Sequence, residues 1–252
     1  MSLFPLDSVR NAGIDRSLEP LLEQLRGEVA IFPWRPIDEI DAESALHAFD
    51  MSRPRLNVLA ARIPRGRGVD ISTGLGFLPP LLERIGVEVV ATECDVTVSR
   101  FLTERGWGVK PYRLGMDRPP FAPATLDFVI FSEVLEHLRF PAISVVGELA
   151  GLLKPGGTFL LSTPNVARRS HIESLLSGEN FLEPFPEDIP WGEDGTLAWE
   201  HVREYSVREV VEAVEANGLA VDSVLMTGWG DAGYEPHANP YVNEIIVVRA
   251  NK

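Results

Sequence analysis

Between Arg67 and Gly76 the chain reads Arg-Gly-Val-Asp-Ile-Ser-Thr-Gly-Leu-Gly, and this run narrows the available folds more than any other. Val69 and Ile71 are β-branched and apolar, as the end of a buried strand requires, and Gly74 and Gly76 break that strand just before the apolar run of a helix. Strand, glycine turn and helix together form a ligand cradle. The turn lacks side chains where a ligand must approach the backbone, and the following helix is expected to aim its free N–H groups at that ligand. A dinucleotide fingerprint would need a third glycine where Pro79 stands, which argues against NAD.

From residue 66 onward strand and helix signals alternate. Strands are expected near 67–71, 88–93, 109–114, 127–132 and 158–163, with helices near 78–86, 96–105 and 141–153 between them. That order predicts an α/β fold with a doubly wound, mostly parallel sheet, its ligand crevice beyond the carboxyl ends of the strands. A helix over Val207 to Asn217, closed by Gly218, and two strands near 219–228 and 243–249 predict a C-terminal antiparallel hairpin, joined through Trp229 to Val242. Pro164 to Glu200 is rich in Pro, Gly and acidic residues and too long for a bare connection, so residues 166–204 are read as a lid or substrate wall after the fifth strand. Residues 1–65 are read as an N-terminal helical cap on the same domain, with helices over Leu18 to Leu25 and Ala42 to Ile63. The second is expected to be interrupted at Ser52-Arg53-Pro54, because proline lacks a donor and restricts the residue before it.

With 252 residues, 45% of them hydrophobic, the chain suits one sizeable domain with an appendage. A net charge of −14 would repel a phosphate backbone, so nucleic acid is an unlikely substrate. Uncharged runs such as Ala142 to Gly147 fall far short of the ~20 apolar residues that span a bilayer, and no signal-peptide core is visible. The expectation is a soluble, cytoplasmic protein, monomeric or homodimeric, with no membrane partner. A single cysteine, Cys94, leaves no internal disulfide and no multi-cysteine zinc site.

Several segments extend the first signal. Val89-Val-Ala-Thr-Glu93 ends a strand with a carboxylate 19 residues after Gly74, a spacing at which an acid can accept both hydroxyls of a ribose. Gly115-Met-Asp117 precedes Pro120-Phe121, Leu126 to Leu138 runs through Ser132 into Glu133-Val-Leu-Glu136-His137, and Leu153 to Asn165 contains Lys-Pro-Gly-Gly followed by Ser-Thr-Pro-Asn. Taken in order, these segments resemble the class I S-adenosylmethionine-dependent methyltransferases, which implies a Rossmann-like sheet. The resemblance implies a donor site formed by Asp70, Ser72, Gly74, Gly76, Glu93, Cys94, Met116, Asp117 and Ser132. Within it Glu93 would hold the ribose, Cys94 would lie beside the adenine, and Asp117 would receive the adenine amino group. Ser72 departs from the pattern, standing where the family has the first glycine of its turn.

Methyl transfer needs a nucleophile held in line and relieved of its proton. The candidates are Glu133, Glu136 and His137, whose i, i+3, i+4 spacing places them on one face of a helical turn, and His201 from the lid. Two carboxylates and an imidazole suit magnesium or manganese with room for two substrate oxygens. Glu-x-x-Glu-His, then Ser-Thr-Pro-Asn, then a later histidine is similar to the metal-binding set of small-RNA 2′-O-methyltransferases and of ubiquinone-pathway O-methyltransferases. That likeness implies Glu133, Glu136, His137 and His201 as ligands. A metal-free site, with His137 or His201 as base and Glu136 beside it, fits the same residues, as does plain packing.

Of the other histidines, His47 reads as a helix-face residue, and His171 and His237 as solvated rings in irregular segments. Arg168-Arg169 can grip an anion or sit as a surface pair. Trp34, Trp191, Trp199, Tyr205, Trp229, Tyr234 and Tyr241 suit an acceptor ring. The reading that follows is O-methylation of a hydroxyl on a small metabolite or glycan. Its alternatives are a metal-independent N-methyltransferase of an amino sugar or amine, and a donor-binding scaffold without catalysis.

Overall fold

A computed structural model describes residues 4–31, 41–104, 106–181, 201–230 and 237–252. In chain order the regular elements are β1 (Arg10–Asn11), α1 (Glu19–Ile31), α2 (Ala42–Ala60), β2 (Arg67–Ile71), α3 (Leu78–Arg84), β3 (Glu88–Glu93), α4 (Val96–Glu104) and β4 (Val109–Pro111). They continue with β5 (Leu126–Ser132), α5 (Ala142–Leu152), β6 (Leu153–Pro164), α6 (Arg169–Leu176), α7 (Val207–Glu215), β7 (Ala220–Thr227) and β8 (Ile245–Asn251).

The strands form one eight-stranded sheet in the order β1-β7-β8-β6-β5-β2-β3-β4. Pairs among β2 to β6 are parallel, and β8 runs antiparallel between β6 and β7, as the patterning predicted. The strand order reverses between β2 and β5, which opens a crevice at the carboxyl ends of these two strands.

Strand alternation decides which side chains meet which helices. Val129 and Phe131 of β5, with Phe159 and Leu161 of β6, share a core with Val145, Val146 and Leu149 of α5 and Val210, Val211 and Val214 of α7. Their neighbours Phe128, Ile130 and Leu160 turn to the opposite face, against Leu22 and Leu25 of α1, Phe49 and Leu59 of α2, and Leu81 and Leu82 of α3. Each such buried Phe or Leu contributes roughly 1.5–3 kcal/mol, so both faces hold the sheet strongly. The helices of the N-terminal segment therefore form part of the sheet's second core.

Three local features differ from the sequence expectations. Helix α2 runs unbroken through Pro54, which is buried; the packing of Phe49, Leu56 and Leu59 on the sheet face outweighs the one lost hydrogen bond. Arg10–Asn11 adds a parallel edge strand beside β7, too short for any alternation to reveal. Helix α3 begins at Leu78 with Pro79 and Pro80 in its first turn, so two of the N–H groups expected to face the ligand do not exist.

Candidate active site

At the end of β2 the backbone turns sharply: Ser72, Gly74 and Gly76 have φ of +52°, +56° and +70°. A Cβ on Gly74 would meet nothing within 4 Å, whereas one on Gly76 would lie 2.5 Å from Leu102 Cδ2. Gly74 thus leaves open space above the turn, and Gly76 lets the turn close against α4. Ser72 adopts the left-handed conformation without being glycine, its N–H donating to Thr92 Oγ1 at 3.2 Å.

Glu93 organises the neighbouring strand end. Its buried carboxylate accepts from the N–H groups of Gly74 (3.1 Å), Cys94 (2.7 Å) and Asp95 (3.1 Å). Cys94 is exposed at its surface, and partial burial of the thiol, then the Glu93 carboxylate, pushes it up to about 12. Asp70 is buried beside them and accepts from Thr73 Oγ1 at 2.5 Å. Burial raises its carboxyl to about 7, opposed by the Thr73 hydrogen bond and the Arg55 charge. Met116 is exposed. Asp117 is committed to Arg113, accepting from Nε at 3.0 Å, Nη2 at 2.8 Å and the backbone N–H at 3.1 Å.

Arg55 was not singled out from the sequence, although an arginine directly before the buried stretch Leu56 to Ala60 is a signal. It reaches from α2 to the β5 end, donating through Nη1 to Ser132 Oγ at 2.5 Å and through Nη2 to Ser52 Oγ at 3.1 Å. Its Nε is buried without a hydrogen-bond partner, and its charge acts on both Asp70 and Glu136.

Beyond β5, Glu133 corrects the sequence expectation. It has φ +54° and precedes a single 3-10 turn, Leu135–His137, so the i, i+3, i+4 face does not form. Its Oε1 accepts from Ser162 Oγ at 2.8 Å, and it lies outside the cluster that the other three candidates make. Glu136, His137 and His201 do come together, each offering a ligand atom within 4.8 Å of the others. The two imidazoles meet edge to face, centroids 5.1 Å apart. Glu136 is buried, with Thr163 Oγ1 donating to Oε2 at 2.9 Å; burial, then the Glu133 charge, raises its carboxyl well above the ordinary range.

Backbone bonds bring the remote histidine there. The N–H groups of Val202 and Arg203 both donate to the Glu136 carbonyl, at 2.8 and 3.1 Å, and Val166 N–H donates to the Tyr205 carbonyl. Asn165 stiffens this junction, its Nδ2 donating to the carbonyls of Tyr241 (2.9 Å) and Asn243 (2.8 Å).

Behind His201 stands a residue that sequence reading missed. Glu204, three positions on and buried, meets His201 Nδ1 at 3.0 Å and Arg168 Nη2 at 3.1 Å through Oε1, while its Oε2 lies 3.4 Å from His171 Nδ1 without a hydrogen bond. Burial works to raise its carboxyl, yet the His201 hydrogen bond and the Arg168 charge leave it below the usual value. His171, expected in solvent, is instead buried on α6, stacked on Phe181 at 4.2 Å, and burial lowers its basicity. The arginine pair divides: Arg168 lies over the Trp229 ring, while Arg169 forms an exposed pair with Glu173. His47 and His237 are exposed. Tyr205 is buried, and Tyr241 donates to the Leu6 carbonyl; Trp34, Trp191, Trp199 and Tyr234 lie outside the described residues. No helix among the described residues is long and apolar enough to cross a membrane.

A ubiquinone biosynthesis O-methyltransferase from Xanthomonas campestris pv. campestris is 30% identical over 152 residues, 58% of this chain and 62% of that protein. One from Nitrobacter winogradskyi is 24% identical over 214 residues, 82% of this chain and 76% of that one. The chain thus spans about three-fifths of the length of the first of these relatives. In fold it is similar to a Thermotoga maritima protein described as a SAM-dependent methyltransferase and possible histamine N-methyltransferase. That likeness has a TM-score of 0.56 at 17% identity and covers 81% of this chain and 90% of the other. The methyltransferase domain family matches residues 46–224, from α2 into β7, and the chain belongs to that family, as a class I S-adenosylmethionine-dependent methyltransferase.

Proposed function

We propose that this protein transfers a methyl group from S-adenosylmethionine to a hydroxyl of a small metabolite or glycan. The convergence of Glu136, His137 and His201 beside the β5 end carries this reading. The O-methyltransferase names of the relatives support a hydroxyl acceptor, and the net charge of −14 disfavours nucleic acid.

The turn fits the donor. Gly74 leaves room for close approach, Glu93 stands where ribose hydroxyls can be held, and the unpartnered Nε of Arg55 offers a cation to a carboxylate. When bound, S-adenosylmethionine supplies an electrophilic methyl on a sulfonium. The chain must then orient the acceptor oxygen and take its proton. His201 suits the second of these roles. Its Nδ1 is engaged by Glu204, leaving Nε2 as the nitrogen able to hold the proton released when oxygen bonds to carbon and the carbon–sulfur bond breaks. Glu136 and His137 border the same space and would orient the hydroxyl.

The same three groups form a donor set suited to a divalent cation. Held by Glu136, His137 and His201, such an ion would lower the pKa of an acceptor hydroxyl and fix its direction. Calorimetry with S-adenosylmethionine, followed by turnover of a panel of phenols, sugars and amines with and without EDTA, tests both parts. Donor binding with methylation of a hydroxyl is the expected result, and restoration by manganese after loss in EDTA would establish the cation. Donor binding with methylation of amines alone would overturn the hydroxyl assignment, and no donor binding would overturn the whole reading.

A further inference from the structure

We propose that Glu204 is a positioning residue that fixes the tautomer of His201, its carboxylate accepting the Nδ1 proton so that Nε2 keeps the free lone pair of a ring that stands in the cluster with Glu136 and His137. The inference deepens the function proposed above, which gives that lone pair its use.

The geometry has three parts. First, Glu204 Oε1 lies 3.0 Å from His201 Nδ1. A carboxylate can only accept, so the ring nitrogen must carry the hydrogen, and a neutral imidazole with Nδ1–H has an unprotonated Nε2. Second, Glu204 is held from behind. Arg168 Nη2 stands 3.1 Å from the same oxygen, with its guanidinium 5.1 Å from the centre of the Trp229 ring. Third, the other oxygen faces His171. The Nδ1 of that ring is bonded to the Val166 carbonyl at 3.2 Å, which fixes its hydrogen there, and it lies 3.4 Å from Glu204 Oε2, an oxygen left without a hydrogen bond. Trp229, Arg168, Glu204 and His201 therefore form a chain of contacts that starts in the core and ends on one imidazole. Its rigidity comes from elements far apart in sequence: the α6 region, the loop after β7 and the 201–205 loop.

A residue that merely filled space would leave the tautomer of its neighbour unchanged. Replacing Glu204 by leucine retains bulk and removes the acceptor; Glu204→Gln retains an acceptor oxygen without the charge. Full-length protein labelled with 15N-histidine, in metal-free buffer at a pH where the ring is neutral, reports the tautomer through long-range proton–nitrogen correlations, with His201→Gln identifying the signals. The wild type is expected to show His201 as the Nδ1–H form. Glu204→Leu is expected to shift it toward the Nε2–H form that an unconstrained histidine side chain favours, and Glu204→Gln to retain a mixture. Turnover should fall about 100-fold in the leucine variant and less in the glutamine variant, with the KM for S-adenosylmethionine unchanged. Finding the Nε2–H form in the wild type, or the same tautomer in Glu204→Leu, would overturn the proposal. If the leucine variant does not fold, the wild-type spectrum and the glutamine variant decide alone. Because the tautomer is read without any methyl transfer, a protein that fails to bind S-adenosylmethionine while showing the Nδ1–H form would refute the methyltransferase function and leave this positioning intact.

Discussion

The turn after β2 and the cluster around His201 lie at the same end of one sheet, yet they are built in opposite ways. Ser72, Gly74 and Gly76 sit within five residues, and Glu93 ends the adjacent strand, so neighbouring backbone sets this side. The other side draws Glu136 and His137 from the turn after β5, His201 and Glu204 from a loop some 65 residues later, and Arg168 from between them. The first half depends on φ angles and the second on buried polar contacts. Substitutions should therefore damage the first through strain and the second through lost chemistry.

His201→Ala gives the largest effect and the sharpest test of that separation. Turnover should drop by roughly 10²–10⁴, the usual contribution of a positioned proton acceptor, while calorimetric affinity for the donor changes less than twofold. Equal loss of donor binding would show that the halves are one unit.

Asp70 departs from that pattern on the donor side, because burial raises its carboxyl. An unfolded aspartate titrates near 3.9, and this one is raised to about 7 in the fold. Between those values the folded protein keeps a proton the unfolded chain has lost, so stability declines as pH rises through that window and the penalty is complete above it. Three units correspond to a penalty on the order of 4 kcal/mol. Asp70→Asn should flatten the decline, read from urea unfolding at pH 4.5 and pH 8. Parallel curves for the two proteins would show that the carboxyl titrates normally.

The two glycines give smaller, graded effects. Gly76→Ala adds a left-handed penalty and a collision with Leu102, together about 2–3 kcal/mol, whereas Gly74→Ala carries only the conformational penalty of roughly 1–2 kcal/mol. Reversal of that order in thermal unfolding would mean that Leu102 moves aside without cost. Ser72→Gly is the smallest, a gain of less than about 1 kcal/mol, since relief of strain is partly offset by a freer unfolded chain.

The same contrast decides what could be read from the residues. The order of strands β2 to β8 and the donor turn follow from alternation, glycine spacing and a strand-end carboxylate, all local signals. Pro54 misled because helix propensity is weaker than the burial of Phe49 and Leu59 on either side of it. Glu133 misled because three positions of spacing imply a helical face only where a helix continues, and here the chain makes a single tight turn. Arg55, Glu204 and buried His171 were misread because the contacts that bury them, Arg55 to Ser132, Arg168 to Glu204 and His171 to Glu204, join segments more than thirty residues apart, and polar contacts at that range leave no period in a sequence.

Arg55 has one further consequence. It rides on a nineteen-residue helix whose apolar side grips the sheet, and its guanidinium ends against Ser132. A slide or roll of that rod by even part of a turn would weaken the pull of its positive charge on two submerged acids, Asp70 and Glu136. Helix α2 thus couples the sheet's second core to the donor side through one side chain, so a change in how that helix packs would reach Ser132 and Asp70 directly.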